Sequence, residues 1–201
     1  MIKMNTIEIS KMYSKVFFKR EDNEWKIEYF KKIATHLTNL FKPKSVLDVG
    51  CGTGELLNGF IHNDVKDYFG VDGSVNAIDY GFIDKEYLLL HNLEEPLNLN
   101  RKFDLVASVE VAEHIKKEFA DVFVKTLIAN GDTIYITAAP PGQAGTGHYN
   151  CQPKQYWIDL FKKNGYDIDK VNTTKIMGLV GIDGAQGHLG RNSMIFRKCV
   201  E

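Results

Sequence analysis

Apolar and polar positions along the chain follow two patterns that alternate, one typical of buried strands and one typical of amphipathic helices. Short runs rich in β-branched residues predict strands, and the stretches between them carry apolar residues at helical spacing. The seven predicted strands cover residues 45–50, 68–72, 87–90, 103–109, 132–138, 169–177 and 193–198. Helices are predicted between them over residues 55–63, 75–80, 117–129 and 153–164.

The first part of the chain, residues 10–41, is rich in aromatic and basic residues at helix-like spacing and predicts two helices, broken near residues 20–23. Strands that alternate with helices predict an α/β fold: a single doubly wound, mostly parallel seven-stranded sheet with flanking helices. We therefore divide the chain into an N-terminal helical segment, residues 1–42, and a core, residues 43–201. Ligands bind such sheets beyond the carboxyl ends of the strands, so functional residues are expected there.

Composition and charge are those of an ordinary globular domain. The 201 residues suffice for one compact domain, and 44% of them are apolar and 25% charged. A formal net charge of -1 gives no long-range attraction for a long nucleic acid. The odd count of three cysteines does not indicate a disulfide framework. Without a secretory signal or an apolar run of about 18 residues, we expect no membrane span and a cytoplasmic setting, the host cytoplasm for a viral protein.

A glycine-rich loop follows the first core strand, with three glycines in the five positions from Gly50 to Gly54. Its G-x-G-x-G spacing differs from the G-x-G-x-x-G fingerprint of dinucleotide-binding proteins. Asp48, two residues before the first glycine, would repel a phosphate and suits a cationic ligand, such as the amino group and sulfonium of S-adenosylmethionine. At the end of the second strand, Asp72 can accept both ribose hydroxyl hydrogens, and at the end of the third, Asn92 can meet an adenine edge.

Three segments, VLDVGCGTGELL, GVDGS and FDLVASVEVAEHI, resemble the first, second and fourth motifs of the class I S-adenosylmethionine-dependent methyltransferases. The resemblance covers roughly residues 45–140 and implies a Rossmann-like methyltransferase fold, with residues 43–201 as the catalytic core and residues 1–42 on the lid and acceptor side. It implies S-adenosylmethionine as cofactor and S-adenosylhomocysteine as product. Many members of the family have Asp where this chain has Asn92. The cofactor-binding residues that the resemblance implies are Asp48, Gly50, Cys51, Gly52, Asp72, Gly73, Ser74, Asn92, Leu93 and Val109.

Acidic residues and a histidine follow the fourth strand. If the chain turns helical at Glu110, then Glu110, Glu113 and His114 occupy positions i, i+3 and i+4 and lie on one face. Two carboxylates and one imidazole suit a divalent cation such as Mg²⁺, Mn²⁺ or Zn²⁺. The alternative is a solvated first turn in which Glu110 makes a contact at the helix N-terminus. The spacing alone leaves both interpretations open.

The E-x-x-E-H pattern resembles the metal-binding motif of the small-RNA 2'-O-methyltransferases and of the ubiquinone-pathway O-methyltransferases. In the RNA group a further histidine completes the site, and the metal holds a vicinal diol. The loop 140–150 lies at the same sheet edge and can bring His148 to the cluster; a surface histidine is the alternative. The resemblance implies metal binding by Glu110, Glu113, His114 and His148, with His114, His148 and Glu113 catalytic. His188 is a weaker candidate, a pocket-lining or loop residue.

The expected reaction is an in-line methyl transfer to a hydroxyl, for which a divalent ion and a nearby histidine or glutamate assist deprotonation. Two neighbouring hydroxyls would chelate the ion, so the acceptor is a sugar, an RNA terminal ribose or a catechol-like or quinone-precursor molecule. The polar loop 140–152 favours a carbohydrate. It also resembles methyltransferases encoded beside glycan-assembly enzymes in bacteria and large DNA viruses, among them the rhamnose O-methyltransferase modules of chlorovirus glycan-synthesis proteins. We therefore expect glycan O-methylation, with a non-enzymatic binding module as the remaining alternative and with the chain as one module of a larger polypeptide.

Overall fold

A computed structural model describes residues 4–18, 24–181 and 187–199 of the chain. Within these residues seven strands form one sheet in the order β3-β2-β1-β4-β5-β7-β6. The strands from β3 to β5 pair in parallel, and β7 pairs antiparallel with both β5 and β6. The mostly parallel seven-stranded sheet predicted from the sequence is thereby confirmed. The strands are β1 (Ser45–Val49), β2 (Asp67–Asp72), β3 (Leu88–Leu90), β4 (Leu105–Ser108), β5 (Thr133–Thr137), β6 (Tyr166–Ile168) and β7 (Ser193–Lys198).

The helices flank the sheet on both faces because strand side chains alternate between two apolar cores. Leu47 and Val106 belong to one core, and their neighbours Val46 and Leu105 belong to the other. The helices of the described residues are α1 (Thr6–Met12), α2 (Lys15–Phe18), α3 (Glu24–Phe41), α4 (Glu55–His62), α5 (Val75–Asp79), α6 (Ala120–Asn130), α7 (Lys154–Lys163), α8 (Lys170–Val180) and α9 (Gly187–Asn192). The first core holds α6 and α7, and the second holds α3, α4, α8 and α9.

The prediction of a strand over residues 169–177 is wrong, because this stretch forms α8 and the strand is the shorter β6 just before it. The β-branched residues at positions 171, 173 and 174 favour a strand locally. A helix forms instead because it buries Thr173, Ile176 and Val180, which occupy positions i, i+3 and i+7 of one helical face. Asp169 caps this helix by accepting a hydrogen bond from the backbone N–H of Asn172 at 3.0 Å.

Two other differences concern the helices. The helix expected over residues 117–129 begins with a 3-10 turn, Lys117–Phe119, before α6. The N-terminal segment contains α1 and α2 as well as the long α3, and the predicted break near residues 20–23 lies outside the described residues. Since α3 packs in the second core, the boundary at residues 42 and 43 stays a prediction. None of the helices in the described ranges combines the length and the apolar character that a membrane crossing requires.

Candidate active site

A cavity of about 360 Å³ lies at the carboxyl edge of the sheet. The residues that follow four neighbouring strands line it: Gly50 after β1, Gly73 after β2, Leu93 after β3 and Val109 after β4. The strand order reverses between β1 and β4, the place where sheets of this type bind ligands. The cavity therefore lies where the sequence predicts the cofactor.

The glycine loop between β1 and α4 is held against the end of β2. The backbone N–H groups of Gly50 and Cys51 both donate to the Val71 carbonyl, at 2.7 and 3.0 Å. Gly50 has a φ of 80°, and a Cβ atom there would collide with Cγ2 of Val111. Glycine is needed at this position because the left-handed backbone and the packing of Val111 both exclude a side chain.

Carboxylates surround the same cavity and give it a negative character. Asp72 accepts hydrogen bonds from the backbone N–H of Gly52 at 2.9 Å and of Ser74 at 2.8 Å. Burial raises the pKa of Asp48 well above its ordinary value, and the nearby charges of Asp72 and Glu55 raise it further. Burial also raises the pKa of Asp72. Because neighbouring negative charges in a buried site repel each other, a bound cation would stabilise all three ionised groups.

Nine of the ten residues that the family resemblance implies for the cofactor line the cavity. Ser74 is the exception: it is fully buried, and its hydroxyl donates to the Tyr13 carbonyl at 3.2 Å. The Asn92 amide is engaged with the protein, since it donates to the Met4 carbonyl at 2.7 Å and accepts from the Glu94 N–H at 3.0 Å. Its contact with adenine stays a prediction.

Several further residues line the cavity wall. The glycine loop and α4 contribute Thr53 and Glu55, which the sequence did not assign to the cofactor. From the N-terminal segment come Tyr13 and Phe18, aromatic residues that the sequence offers either as a lid or as core packing, and also Met4, Ile9, Lys26 and Phe30, which it did not single out.

Beside the cavity, whose wall includes His114, the residues Glu113, His114 and His148 each offer a ligand atom, and these atoms lie within 4.8 Å of one another. The loop after β5 brings His148 to the cluster, as its position in the sequence predicts. The expected helix beginning at Glu110 is wrong. Glu110 adopts a left-handed conformation with a φ of 55°, and a short 3-10 turn, Ala112–His114, follows it. The backbone N–H of Glu110 donates to the Thr137 hydroxyl at 2.8 Å, which stabilises this turn of the chain.

Glu110 consequently lies beside the cluster of three rather than within it. Its carboxylate accepts a hydrogen bond from the Thr137 hydroxyl at 2.8 Å and a longer one from the Gln143 amide at 3.4 Å. His188, which lines the cavity, places Nε2 at 3.7 Å from Oε2 of Glu110. The role of Glu110 as a metal ligand stays a prediction.

Glu113 is fully buried, and neither carboxylate oxygen has a hydrogen-bond partner among the described residues. Burial raises its pKa from 4.5 to about 8, and the charge of Glu110 raises it too; the nearby backbone N–H groups of Glu113 and Ala139, which lack hydrogen-bond geometry to the carboxylate, lower the pKa by less. Oε1 lies 4.0 Å from Nε2 of His148. Since buried polar atoms in folded proteins almost always have a partner, the unsatisfied carboxylate indicates a site for a ligand.

Both histidines of the cluster turn one ring nitrogen toward a backbone carbonyl. Nδ1 of His148 lies 3.0 Å from the Gln143 carbonyl, and Nδ1 of His114 lies 3.1 Å from the Gly147 carbonyl. A carbonyl only accepts, so Nδ1 of His148 donates to Gln143; Nδ1 of His114 also lies 2.8 Å from the Tyr13 hydroxyl, and these contacts orient both rings. Burial, and then the proximity of His148, lowers the pKa of His114 to about 4, which keeps its imidazole neutral. Two imidazoles oriented by carbonyls and one buried carboxylate without a hydrogen-bond partner among the described residues fit a divalent cation.

Comparisons with known proteins agree with this geometry. A family model described as "Methyltransferase domain" matches residues 21–130, more than half of the chain. The 235L protein of Invertebrate iridescent virus 6, named as a methyltransferase, is 27% identical over 139 residues, which are 64% of this chain and 50% of the viral protein. The chain thus spans about half the length of this curated relative.

Solved methyltransferase structures share the fold. The methyltransferase domain of bacterial CtHen1-C has a TM-score of 0.62 at 17% identity and covers 86% of this chain and 100% of its own. Magnesium protoporphyrin IX methyltransferase from Synechocystis PCC 6803, with bound S-adenosylhomocysteine, has a TM-score of 0.62 at 14% identity. The match covers 95% of this chain and 93% of the Synechocystis chain. With the family match, the sheet order and the glycine loop, these likenesses identify the chain as a member of the class I S-adenosylmethionine-dependent methyltransferases.

Proposed function

We propose that this chain transfers the methyl group of S-adenosylmethionine to one hydroxyl of a vicinal diol on a sugar of a glycan, with a divalent cation bound by Glu113, His114 and His148. One observation carries the proposal: the Glu113 carboxylate is buried without a hydrogen-bond partner in the described part of the chain, with a ring nitrogen of His114 and one of His148 within 4.8 Å. Glu110 stands next to this cluster as a further candidate ligand.

The cofactor end of the site depends on charge and on backbone shape. Asp72, fixed by two backbone N–H groups, can accept hydrogen bonds from the ribose hydroxyls. Asp48 and Glu55 face the same cavity and favour the positively charged amino and sulfonium groups. The sulfonium is the leaving group, so aligning it with the acceptor hydroxyl is the main task of this half of the site.

The acceptor end must orient a hydroxyl and remove its proton. A divalent cation bound there supplies Lewis acidity that lowers the pKa of a coordinated hydroxyl. Burial raises the pKa of Glu113 to about 8 when no cation is bound, and a bound cation would favour the ionised carboxylate, the form that accepts a proton. His114 lines the cavity and so links the buried cluster to the space where the sulfonium would lie.

The carbohydrate assignment depends on the loop between β5 and α7. It presents polar groups at the acceptor end, including the amide of Gln143 and the half-exposed ring of Tyr149. The net charge of -1 argues against a long nucleic acid, although the terminal ribose of a short RNA has the same diol. Three free cysteines fit the cytoplasmic, reducing setting that forms part of this proposal.

Methyl transfer from labelled S-adenosylmethionine to panels of rhamnosides, short RNAs and catechols, followed by mass spectrometry, tests the function. We expect methylated rhamnoside when Mn²⁺ is present and none in excess EDTA. Glu113→Gln should lose turnover, whereas Glu118→Gln, the same change at an exposed position nearby, should keep it. Full turnover in EDTA would remove the cation from the proposal, and methylation of RNA or catechol alone would replace the acceptor.

A further inference from the structure

Tyr13 connects the N-terminal segment to the proposed acceptor site. It lies directly after α1, and its hydroxyl oxygen is 2.8 Å from Nδ1 of His114. The two rings meet edge to face, with centroids 5.7 Å apart at 88°. Burial raises the pKa of Tyr13 well above its ordinary value, so the hydroxyl stays protonated. A residue far from the motifs therefore contacts one of the two histidines of the cluster.

The backbone of Tyr13 is tied to the other half of the site, the loop after β2. The Tyr13 carbonyl accepts hydrogen bonds from the Ser74 hydroxyl at 3.2 Å and the Asn76 amide at 3.0 Å. The backbone N–H of Ser74 in turn donates to Asp72 at 2.8 Å. A continuous set of contacts thus runs from the proposed ribose carboxylate of Asp72, through Ser74 and Tyr13, to His114.

The rest of the segment, residues 4–13, lies along the cavity. The Met4 carbonyl accepts from the Asn92 amide at 2.7 Å, at the end where adenine is expected. Ile9 packs against Gly73, where a Cβ atom would approach it to 3.2 Å. Met4, Ile9 and Tyr13 all line the cavity wall, so the segment would contact a bound cofactor along its length.

Gly147 allows Tyr13 to reach the cluster. This glycine has a φ of 73°, and a Cβ atom there would lie 2.8 Å from the Tyr13 hydroxyl oxygen and 3.3 Å from Nδ1 of His114. Its carbonyl also contacts His114, at 3.1 Å, and the next residue is His148. The tyrosine hydroxyl therefore meets the loop that carries the second histidine of the cluster as well as the first.

We infer that Tyr13 is a positioning residue that couples cofactor binding to the acceptor site. The inference rests on the proposed function, since it takes the cavity as the cofactor site and the cluster as the acceptor site. A bound cofactor stabilises segment 4–13 against the cavity, and Tyr13 then holds the His114 ring with Nε2 toward the cluster and steadies the loop at Gly147. Because binding linkage is reciprocal, an occupied acceptor site tightens cofactor binding by the same factor, typically about 5- to 10-fold or more.

Hydrogen–deuterium exchange of the full chain with S-adenosylhomocysteine tests this coupling without requiring turnover. In the wild type we expect the cofactor product to slow exchange in both segment 4–13 and loop 142–150. In Tyr13→Phe, segment 4–13 should still be protected, whereas the protection of the loop should fall by about 5-fold. Tyr87→Phe is the matched control: its ring packs on Tyr68 with centroids 4.8 Å apart and does not line the cavity, and the variant should keep both protections.

The outcomes separate this inference from the function on which it rests. The inference is overturned if S-adenosylhomocysteine protects loop 142–150 from exchange equally in the wild type and in Tyr13→Phe. It is also overturned if the ligand binds but protects neither the loop nor segment 4–13. In both cases cofactor binding itself stands. No binding of S-adenosylhomocysteine by calorimetry overturns both. A titration with Mn²⁺ tests the cation separately. If no Mn²⁺ binds but the protection of the loop still depends on Tyr13, the coupling is supported and only the cation is removed from the proposed function.

Discussion

Replacing Glu113 with glutamine removes a charge that the fold buries without a hydrogen-bond partner in the described residues. The pKa of Glu113 is raised from 4.5 to about 8, so in the absence of a cation the folded protein holds a proton at this site more tightly than the unfolded chain does. Below about pH 4.5 the group leaves stability unchanged, between about pH 4.5 and 8 stability falls as the pH rises, and above about pH 8 the loss is complete.

The raised pKa sets the size of this loss. At about 1.4 kcal/mol per pH unit, the difference between 4.5 and about 8 corresponds to a decrease of about 4–5 kcal/mol in the free energy of unfolding. Glutamine has nearly the same shape and cannot ionise. We therefore expect Glu113→Gln to match the wild type within about 1–2 kcal/mol at pH 5 and to exceed its stability by about 4 kcal/mol at pH 9.

Urea denaturation in EDTA, from pH 5 to pH 9, measures this difference for the wild type, Glu113→Gln and Glu118→Gln. Subtracting the wild-type stability at each pH from that of the variant cancels the contributions of the other titrating groups. The exposed control, Glu118→Gln, should have the same pH dependence of stability as the wild type. Parallel curves for the wild type and Glu113→Gln would refute the reasoning, because they would mean that the Glu113 carboxylate ionises equally easily in the folded and unfolded states.

Adding a cation should narrow the stability difference between the two proteins. At pH 8, Mn²⁺ at about 100 times its Kd stabilises a protein that binds it only when folded by about 2.7 kcal/mol. The wild type should gain this amount, and Glu113→Gln, which lacks one of the three donor groups, should gain much less. Equal gains in both proteins would place the cation elsewhere.

Further predictions concern the cofactor loop and the core. Gly50→Ala places a methyl group against Val111 and should weaken S-adenosylhomocysteine binding more than 10-fold by calorimetry, or prevent folding. Asp72→Asn turns an amide donor toward backbone N–H groups and should weaken the same binding about 10- to 100-fold while the circular dichroism spectrum is unchanged. Phe161→Ala removes a buried ring stacked on Phe196 at 3.9 Å and should lower the free energy of unfolding by about 3–5 kcal/mol in urea denaturation.

The fold and the cofactor loop were predictable because their signals are local. A buried parallel strand needs a continuous apolar run, and the turn after β1 needs glycine where φ is positive and Val111 packs closely. Asp72 directly follows such a run, so the end of the strand places its carboxylate at the sheet edge. The strands and the glycine turn are as predicted because residues that are neighbours in the chain determine them.

Two local signals failed where tertiary contacts outweighed them. The β-branched residues after Asp169 predict a strand, but burying Ile176 and Val180 on the second core requires a helix. The spacing of Glu110 and Glu113 predicts one helical face, but hydrogen bonds to Thr137 on β5 hold Glu110 in a left-handed turn. Glu113, His114 and His148 still converge, through a 3-10 turn and a loop in place of an α-helix, while Glu110 lies beside them.

The sequence by itself determined the sheet, the nature of the cofactor loop and the residue types at the acceptor end, because each depends on periodicity or on chemistry within a few residues. Only the tertiary structure decided which of these residues meet. Tyr13 is 101 positions from His114, and yet their side chains are in hydrogen-bonding contact. Burial also decided the protonation of Glu113, since the desolvation that raises its pKa comes from packing of distant segments that no local pattern encodes.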